Sequence, residues 1–332
     1  LYDGNVIESV FMKYHHGNSV CISTQVGCAM GCRFCASTLD GLSRNLTVSE
    51  MAGQIYMINK LTGEKISNIV LMGCGEPMHN YQNVVSFLRL ITDEKGFNLS
   101  VRNITVSTCG LVPKIKEFAD EKIPVTLAIS LHASDDEKRR QLMPIADRFT
   151  IQEILEATDY YFEKTGRRIS FEYSLVANVN DTKEDAKNLA ILLENRNAHV
   201  NLIPVNPIKE RDYRSTDTRF VLRFKNILEK NGINVTIRRE MGRDIDGACG
   251  QLRKKYIDRD KDKGGKITEQ ESNVIFKFIF EYAKKRKNQT IDINELWNII
   301  KEKKECKDKK ITKINQLLDI CAKLEDEGKI FV

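Results

Sequence analysis

Residues 21–35 read C-I-S-T-Q-V-G-C-A-M-G-C-R-F-C, and the last three cysteines form a C-x-x-x-C-x-x-C run. Three thiolates on one short loop can bind three irons of a cubane [4Fe-4S] cluster and leave the fourth iron without a protein ligand. The amino and carboxylate groups of S-adenosylmethionine can chelate that open iron. One electron then cleaves the sulfonium bond and leaves a carbon radical, a chemistry that no side chain supplies. We therefore predict that Cys28, Cys32 and Cys35 are metal ligands.

Two other uses of these thiols fit the spacing less well. A zinc site usually has four ligands in two pairs, whereas the nearest additional ligands here are Cys21, His15 and His16, and C-x-x-x-C is not the spacing of a zinc knuckle. A disulfide framework does not suit a chain of 332 residues with nine cysteines, an odd number. The open iron–sulfur cluster is therefore favoured over both.

Length and composition set the outer limits of the interpretation. A chain of 332 residues exceeds the usual size of one hydrophobic core, so one large domain and one small domain are expected. No apolar run has membrane-spanning length, so we expect no membrane partner. Thiols and an oxygen-sensitive cluster indicate a reducing cytoplasm. The net charge of +6 suits an anionic partner but does not identify one.

Strand-like and helix-like segments alternate along most of the chain. Thr47 and Glu50 form a predicted capping box at the start of a helix over residues 47–61. Strands are predicted at residues 5–14, 19–26, 68–72, 103–107, 125–130, 169–176, 200–205 and 233–238. Further helices are predicted at residues 80–94, 112–121, 151–164, 181–194 and 215–231. This alternation predicts a parallel sheet with helices outside it, as a barrel or as an open stack.

Polar clusters follow four of the predicted strands. They read M-G-C-G-E-P at residues 72–77, S-T-C-G at 107–110, S-L-H at 130–132 and P-V-N-P at 204–207. Each cluster alone could be a turn, because Gly, Pro, Asn and Ser are common turn residues. In barrels of parallel strands, ligands bind at the carboxyl ends of the strands. Four clusters in phase therefore predict one binding site on that rim, where the cysteine loop also lies.

With these motifs, N-L-I-P-V-N-P at residues 201–207 and D-I-D-G-A-C-G-Q-L at 244–252, the chain resembles the dual-specificity RNA methyltransferases of the radical-SAM superfamily, which methylate adenine C2. The resemblance runs from Glu8 to Leu252. It implies a partial (β/α)6 radical-SAM barrel, of class α/β, over residues 19–257. We expect a short N-terminal β extension at residues 1–18, and a linker with a small winged-helix-like domain at 258–332.

The resemblance also implies roles for individual residues. Cys249 would carry the methyl group, Cys21 would be the second catalytic cysteine, and Glu8 matches a position described as a proton acceptor. The implied contacts to S-adenosylmethionine, two molecules of which are used per turnover, are Gly75, Glu76, Ser107, Ser130, Leu131, His132 and Asn206. The remaining cysteines are interpreted as buried small hydrophobes, namely Cys74, Cys109, Cys306 and Cys321.

The chemistry of adenine explains why two further cysteines would be needed. Carbon 2 is electron-poor and cannot attack a sulfonium methyl group, but the Cys249 thiolate can. The radical would then take a hydrogen atom from that methyl, and the resulting carbon radical would add to the ring. Attack by Cys21 on the Cys249 sulfur would release the product and leave a disulfide bond. Either Glu8 or Cys21 could remove the ring proton.

The implied substrates are an adenine of 23S rRNA and, as a second substrate, tRNA. The sister activity that methylates carbon 8 and confers antibiotic resistance shares the cluster and both catalytic cysteines, so these residues do not separate the two. A non-catalytic nucleic-acid-binding protein is a further alternative, which the intact cysteines disfavour. We expect a one-electron donor such as flavodoxin or ferredoxin, and a monomer.

A C-terminal segment and a set of basic residues are candidates for binding the RNA. The family usually carries a small helical RNA-binding domain before the position of Glu8, and since only seven residues precede Glu8 here, we expect either a truncated gene or another element that binds the RNA. Three amphipathic segments at residues 272–285, 293–303 and 313–327, followed by a strand-like end, are typical of a winged helix with 313–323 as recognition helix. Candidate phosphate contacts are Arg102, Lys138, Arg139, Arg140, Arg167, Arg168, Arg211, Arg214, Arg238, Arg239 and Arg243.

Overall fold

A computed structural model describes residues 1–14, 17–238, 250–252 and 255–256 of the chain. The chain divides into two compact units, one formed by Val6–Lys255 and the other by Leu1–Asn5 with Tyr256–Val332. This division differs from the predicted boundary at residue 18, because the chain before that residue already contributes a strand to the main sheet. The predicted winged helix lies outside the described residues.

Strands and helices alternate along the part of the chain that the structure describes. The strands are β1 (Asn5–Val6), β2 (Val10–Tyr14), β3 (Gly17–Cys21), β4 (Gln25–Gly27), β5 (Leu42–Asn45), β6 (Ile66–Leu71), β7 (Ile104–Thr108), β8 (Thr126–Ser130), β9 (Ile169–Leu175), β10 (Ala198–Pro204), β11 (Asn234–Ile237) and β12 (Lys255–Tyr256). The helices are α1 (Val48–Thr62), α2 (Tyr81–Thr92), α3 (Val112–Asp120), α4 (Asp136–Leu142), α5 (Ile151–Thr165), α6 (Lys183–Leu192) and α7 (Thr218–Lys230).

Eight strands form the main sheet, in the order β11-β10-β9-β8-β7-β6-β3-β2. Neighbouring strands from β3 to β11 are parallel, and β2 pairs antiparallel with β3 at one edge. Parallel neighbours need crossover connections, which the helices provide. The sheet curls into a half-barrel, so the prediction of a radical-SAM barrel is confirmed. Among the described residues, no helix is both long and apolar enough to cross a lipid bilayer.

The two faces of the sheet differ in polarity. Side chains alternate between faces along a strand, and on β9 the apolar Phe171 and Tyr173 are buried on the helix side. The Tyr173 ring lies 5.2 Å from the ring of Phe224 on α7. On the inner side, Glu172 accepts a hydrogen bond from Asn201 of β10 at 2.8 Å. The apolar core therefore lies between sheet and helices, and the inner wall is polar.

Local structure departs from the predictions in a few segments. The capping box of Thr47 and Glu50 is present at α1. The predicted strands at 5–14 and 19–26 are each broken in two, and in the second one Thr24 leaves the sheet because its N–H donates to the carbonyl of Cys74. Three elements, β5, α4 and β12, were not predicted from the sequence. The α4 segment D-E-K-R-R-Q-L has almost no apolar residue from which a helical period could be recognised.

Candidate active site

A cavity opens at the carboxyl ends of the parallel strands and collects most of the predicted site residues. Its lining includes Cys28, Cys32, Cys35, Gly75, Glu76, Ser107, Ser130, His132 and Asn206. Leu131 does not line it. The Leu131 side chain is fully buried, and its N–H donates to the carbonyl of Glu172 at 3.1 Å. The structure thus brings together residues from several strand ends that are far apart in sequence.

The cysteine loop is held by hydrogen bonds to its backbone. The hydroxyl of Thr38 donates to the carbonyls of Cys32 and Cys35, at 3.0 and 2.9 Å. The N–H of Arg33 donates to the carbonyl of Leu142 at the end of α4, at 2.9 Å. The loop is therefore attached to the end of α4 by a backbone hydrogen bond.

Burial strongly affects the cysteine thiols. It raises the pKa of Cys28 to about 12 and raises the pKa of Cys32 well above its usual range, where the neighbouring thiols add to the effect. Without a cation these thiols therefore keep their protons. A metal centre replaces the protons and compensates the thiolate charge, so the donor set fits one.

The arrangement of ligands bears on the type of metal centre. Within the described ranges, no three His, Cys, Asp or Glu side chains converge closely enough to hold one metal ion. Zinc requires its sulfur ligands at about 2.3 Å from a single ion. A cubane takes one thiolate per iron, so its ligands surround the cluster without converging on one point. Three cysteines around one cavity therefore fit a [4Fe-4S] cluster better than zinc.

Glu76 places a buried carboxylate in the cavity wall. Its Oε1 accepts from the N–H of Met78 at 3.0 Å, and its Oε2 accepts from the N–H of Cys109 at 2.8 Å. The Glu76 N–H donates to Oε1 of Gln25 at 2.8 Å. Burial raises the pKa of the Glu76 carboxyl. Each carboxylate oxygen retains acceptor capacity, so this group suits a cationic ligand such as an ammonium.

Gly75 allows this wall to approach the cysteine segment. Its φ is +112°, and a Cβ at this position would lie 2.6 Å from the Cβ of Gln25. Because L-residues with a side chain rarely adopt this conformation and the space is filled, only glycine fits. Gln25, which orients Glu76, belongs to the S-T-Q part of the quoted motif but had no predicted role.

His132 is a neutral ring at the end of β8. Its backbone has a positive φ of 57°, and its Nδ1 accepts from the N–H of Ser174 at 2.9 Å. Burial, together with the charge of Arg139, lowers the pKa of His132 to about 3. With Nδ1 an acceptor, the neutral ring carries its proton on Nε2. His132 can therefore donate one hydrogen bond and bears no charge near neutral pH.

Glu172 also lines the cavity, although the sequence analysis assigned it no role. Its Oε1 accepts from the hydroxyl of Ser170 at 3.2 Å, and its Oε2 accepts from Asn201 at 2.8 Å. The hydroxyl of Thr236 donates in turn to Oδ1 of Asn201 at 3.1 Å. The alternation of Ser170, Glu172 and Ser174 along β9 was the signal that could have identified this polar inner wall.

The structure describes only two of the three predicted catalytic residues, Cys21 and Glu8. Cys21 is buried at the end of β3, opposite Val10 of β2, and does not belong to the cavity lining. Glu8 is half-buried, and its carbonyl accepts from the hydroxyl of Ser23 at 2.7 Å. Cys249 lies outside the described residues. No disulfide joins two of the described cysteines.

The residues that follow Cys249 are described, and they contact the cysteine loop. Gly250 lines the cavity, and its carbonyl accepts from the N–H of Ala36 at 2.7 Å. The hydroxyl of Ser37 donates to the carbonyl of Leu252 at 2.6 Å. The chain next to Cys249 is thereby attached directly after the last cysteine of the loop.

The candidate phosphate contacts separate into distinct groups. Arg139 is fully buried, so its prediction as a phosphate contact is wrong. Lys138 pairs with the buried carboxylate of Asp185 at 2.6 Å. Arg102, Arg167 and Arg168 precede β7 or β9 and lie at the amino ends of the strands, away from the cavity, whereas Arg140, Arg211 and Arg214 are exposed on segments that follow strands. Arg238 lines the cavity, and Arg239 and Arg243 lie outside the described residues.

Comparison with known proteins gives a consistent result. A family model for the radical SAM superfamily matches residues 22–190. A probable dual-specificity RNA methyltransferase RlmN from Lachnospira eligens is 66% identical over 266 residues, covering 80% of this chain and 76% of that protein. Its namesake from Lachnoclostridium phytofermentans is 64% identical over 259 residues, covering 78% and 73%. The crystal structure of a radical SAM methyltransferase from Sphaerobacter thermophilus matches with a TM-score of 0.72 and 44% identity, covering 74% of this chain and 73% of that one.

Proposed function

The chain belongs to the dual-specificity RNA methyltransferases of the radical-SAM superfamily, and from this premise we propose that it methylates carbon 2 of an adenine in 23S rRNA and in tRNA. One observation carries the proposal. Three cysteines with the spacing of cluster ligands share a cavity with Gly250, the residue after the proposed methyl carrier Cys249. A methyl carrier must act beside the site where the radical is generated, and this arrangement supports that requirement.

Cys28, Cys32 and Cys35 would hold the [4Fe-4S] cluster. When bound, such a cluster supplies the one-electron cleavage of S-adenosylmethionine that yields a carbon radical. Glu76 would bind the ammonium group of S-adenosylmethionine, because it is a buried carboxylate with unused acceptor capacity. His132, with a proton on Nε2 and no charge, would donate a hydrogen bond to the same molecule. Gly75, Ser107, Ser130 and Asn206, which line the cavity, complete the proposed binding residues. Leu131, also predicted as a contact, does not line the cavity and would only position its neighbours Ser130 and His132.

Cys249 would accept a methyl group as a thiolate nucleophile. Cys21 would release the methylated RNA by attacking the Cys249 sulfur. The carbon–sulfur bond would break with its electron pair going to the carbon, which takes a proton to become the methyl group. The unpaired electron left by the radical addition would return to the one-electron carrier as the transient disulfide forms. Glu8 or Cys21 would take the ring proton. Such a disulfide must be reduced before another turnover, and a reducing cytoplasm would supply the thiols for this. We also propose a monomeric enzyme with a flavodoxin or a ferredoxin as electron donor.

The decisive experiment identifies the methylated nucleoside. The full chain is reconstituted anaerobically with iron and sulfide, and incubated with S-adenosylmethionine, dithionite and unmethylated 23S rRNA or tRNA. We expect 2-methyladenosine by mass spectrometry of the digested RNA. Formation of 8-methyladenosine instead would assign the chain to the sister activity, and absence of any methylated adenine with a loaded cluster would contradict the proposal.

Two cysteine variants separate the proposed steps. Cys249→Ala should reduce methyl transfer to background while slow cleavage of S-adenosylmethionine persists, because only the carrier is lost. Cys21→Ala should accumulate a covalent RNA–protein adduct, visible as a slower band on a denaturing gel. Cys321→Ala is the matched control and should behave as wild type. Methyl transfer by Cys249→Ala would refute the carrier role, and lack of an adduct would show that release does not depend on Cys21.

A further inference from the structure

Arg139 is a buried cation directly behind the cysteine loop. Its side chain is fully excluded from solvent, and it projects from α4, the helix whose last residue, Leu142, accepts the hydrogen bond from Arg33 of the loop. Cys32, Cys109 and Leu142 belong to the same packed cluster. A Cβ added at Gly110 would lie 3.3 Å from Nη2 of Arg139. The guanidinium is thus tightly enclosed on the protein side of the cavity.

The hydrogen bonds of Arg139 go to backbone carbonyls. Nε donates to Leu131 at 3.2 Å, Nη1 to Phe149 at 3.2 Å and Nη2 to Cys109 at 2.7 Å. Each of the three guanidinium nitrogens thus has a hydrogen-bond partner, but bonds to neutral carbonyls do not neutralise the charge. Among the ion pairs of the described residues, no carboxylate is paired with Arg139. A buried charge without an opposite charge is strongly unfavourable.

Lys138, the residue before Arg139, is a cation that the fold neutralises with carboxylates. Lys138 pairs with Asp185 at 2.6 Å and lies 3.7 Å from Asp135. For Arg139, burial lowers the pKa of the guanidinium, and the groups that act in the opposite direction when they are ionised are Cys109, Cys32 and Asp136. One of them is a proposed cluster ligand. The negative charge that compensates Arg139 would then be that of the thiolate-bound metal centre.

We propose that Arg139 is the buried countercharge of the iron–sulfur cluster and that its positive charge makes the cluster easier to reduce. This inference rests on the proposed function, which places the cluster on Cys28, Cys32 and Cys35. A cubane bound by three thiolates is anionic, and reduction adds one more negative charge. A nearby cation in a poorly solvated site stabilises the more negative form, and net charge and solvent exposure are known to set cluster potentials. Arg139 would therefore affect electron transfer indirectly, because its charge sets the reduction potential of the cluster while the residue itself does not react.

The test compares a neutral and a charge-conserving substitution in the reconstituted full chain. Arg139→Gln removes the charge, whereas Arg139→Lys keeps it but cannot reproduce the three carbonyl bonds. The matched control is Arg33→Gln, because Arg33 lies between two ligand cysteines in the sequence but is exposed to water, which screens its charge. Iron content is measured first. The reduction potential is then obtained from the electron paramagnetic resonance signal of the reduced cluster at poised potentials.

We expect Arg139→Lys and Arg33→Gln to hold the cluster with a potential close to that of wild type. Arg139→Gln should be at least about tenfold harder to reduce, a shift of about 59 mV for one electron, or should fail to retain the cluster that Arg139→Lys retains. The inference is overturned if the two Arg139 variants behave alike, whether both match wild type, both shift or both lose iron. It is also overturned if Arg33→Gln shifts as far as Arg139→Gln. Failure of the wild-type chain to bind a cluster would instead refute the proposed function.

Discussion

The two ends of the parallel sheet carry cavities of opposite character. At the amino ends of β9 and β10, a depression is lined by Phe162, Phe171, Asp159 and Arg196 among others. Two of its charged side chains are paired with each other, since Arg196 donates to both oxygens of Asp159 at 3.0 Å. At the carboxyl ends, buried thiols and the Glu76 carboxylate have raised pKa values. The fold neutralises its own charges at one end and leaves groups for ligands at the other.

The physical reason lies in the way parallel strands end. Loops that follow parallel strands meet on one rim, so side chains from distant parts of the sequence can converge on a ligand there. Glu76 follows β6, Cys109 follows β7 and His132 follows β8. The opposite end mainly joins helices back to strands, and its residues cap and pair locally. Substitutions at the two ends should therefore have different consequences, and three comparisons test this.

The largest expected effect is at the cysteine loop. Cys32→Ala should abolish cluster binding and reduce methyl transfer to background, because an iron loses its ligand. At the other end, Arg196→Ala should cost at most about 1 kcal/mol of unfolding free energy, since its ion pair with Asp159 is partly exposed. Iron analysis, methyl transfer and urea unfolding measure these outcomes. Loss of iron in Arg196→Ala would remove the contrast between the two ends.

An intermediate effect is expected in the pH dependence of stability. The folded pKa of His132, about 3, is below the ordinary value of 6.5, so the unfolded chain binds the proton more tightly. The contribution of neutral His132 to the free energy of unfolding is therefore fully present above about pH 6.5, and it is lost as the pH falls toward the folded pKa. His132→Asn keeps an acceptor for the Ser174 N–H and tolerates the positive φ, but it cannot titrate.

Urea unfolding of the cluster-free protein at pH 7 and pH 5 tests this. Wild type should lose on the order of 2 kcal/mol more than His132→Asn between these pH values, since one pKa unit corresponds to about 1.4 kcal/mol. The comparison uses the change with pH within each protein, so a lower stability of the variant at pH 7 does not affect it. An equal loss in both proteins would show that His132 is not buried in its neutral form.

The smallest expected effect concerns RNA binding. Arg214 is exposed after β10 on the cavity side, and Arg102 is exposed before β7 on the opposite side. Arg214→Ala should weaken tRNA binding roughly fivefold, about 1 kcal/mol for a charged contact, and lower the salt dependence by about one ion. Arg102→Ala should leave both unchanged. Binding is measured by fluorescence anisotropy over a range of salt concentrations, and a larger effect of Arg102→Ala would indicate that RNA approaches the other end.

Sequence reasoning succeeded where a feature depends on near neighbours. The capping box of Thr47 with Glu50 and the cysteine spacing are local patterns, and the structure contains the former in full. The parallel sheet followed from alternating periodicities, which each segment carries by itself, whereas the barrel, rather than an open stack, was implied by the family resemblance. The α4 segment shows the limit of such patterns, because Arg139, a candidate phosphate contact from the sequence, is fully buried. A charged segment gives no hint that one of its side chains is buried, because burial depends on the loops that close over it.

The cysteine spacing that predicts the cluster ligands, the strand ends that carry Glu76 and His132, and the family membership could be recognised from the sequence alone, because they reside in short contiguous motifs. Tertiary structure alone decided that the guanidinium of Arg139 lies beneath the cysteine loop and that Gly250 contacts Ala36. Such contacts join segments far apart in the chain, and their geometry depends on how the whole sheet curls. The electrostatic interactions follow from that geometry, since the interaction energy of two charges depends on their separation and on how far they lie from water.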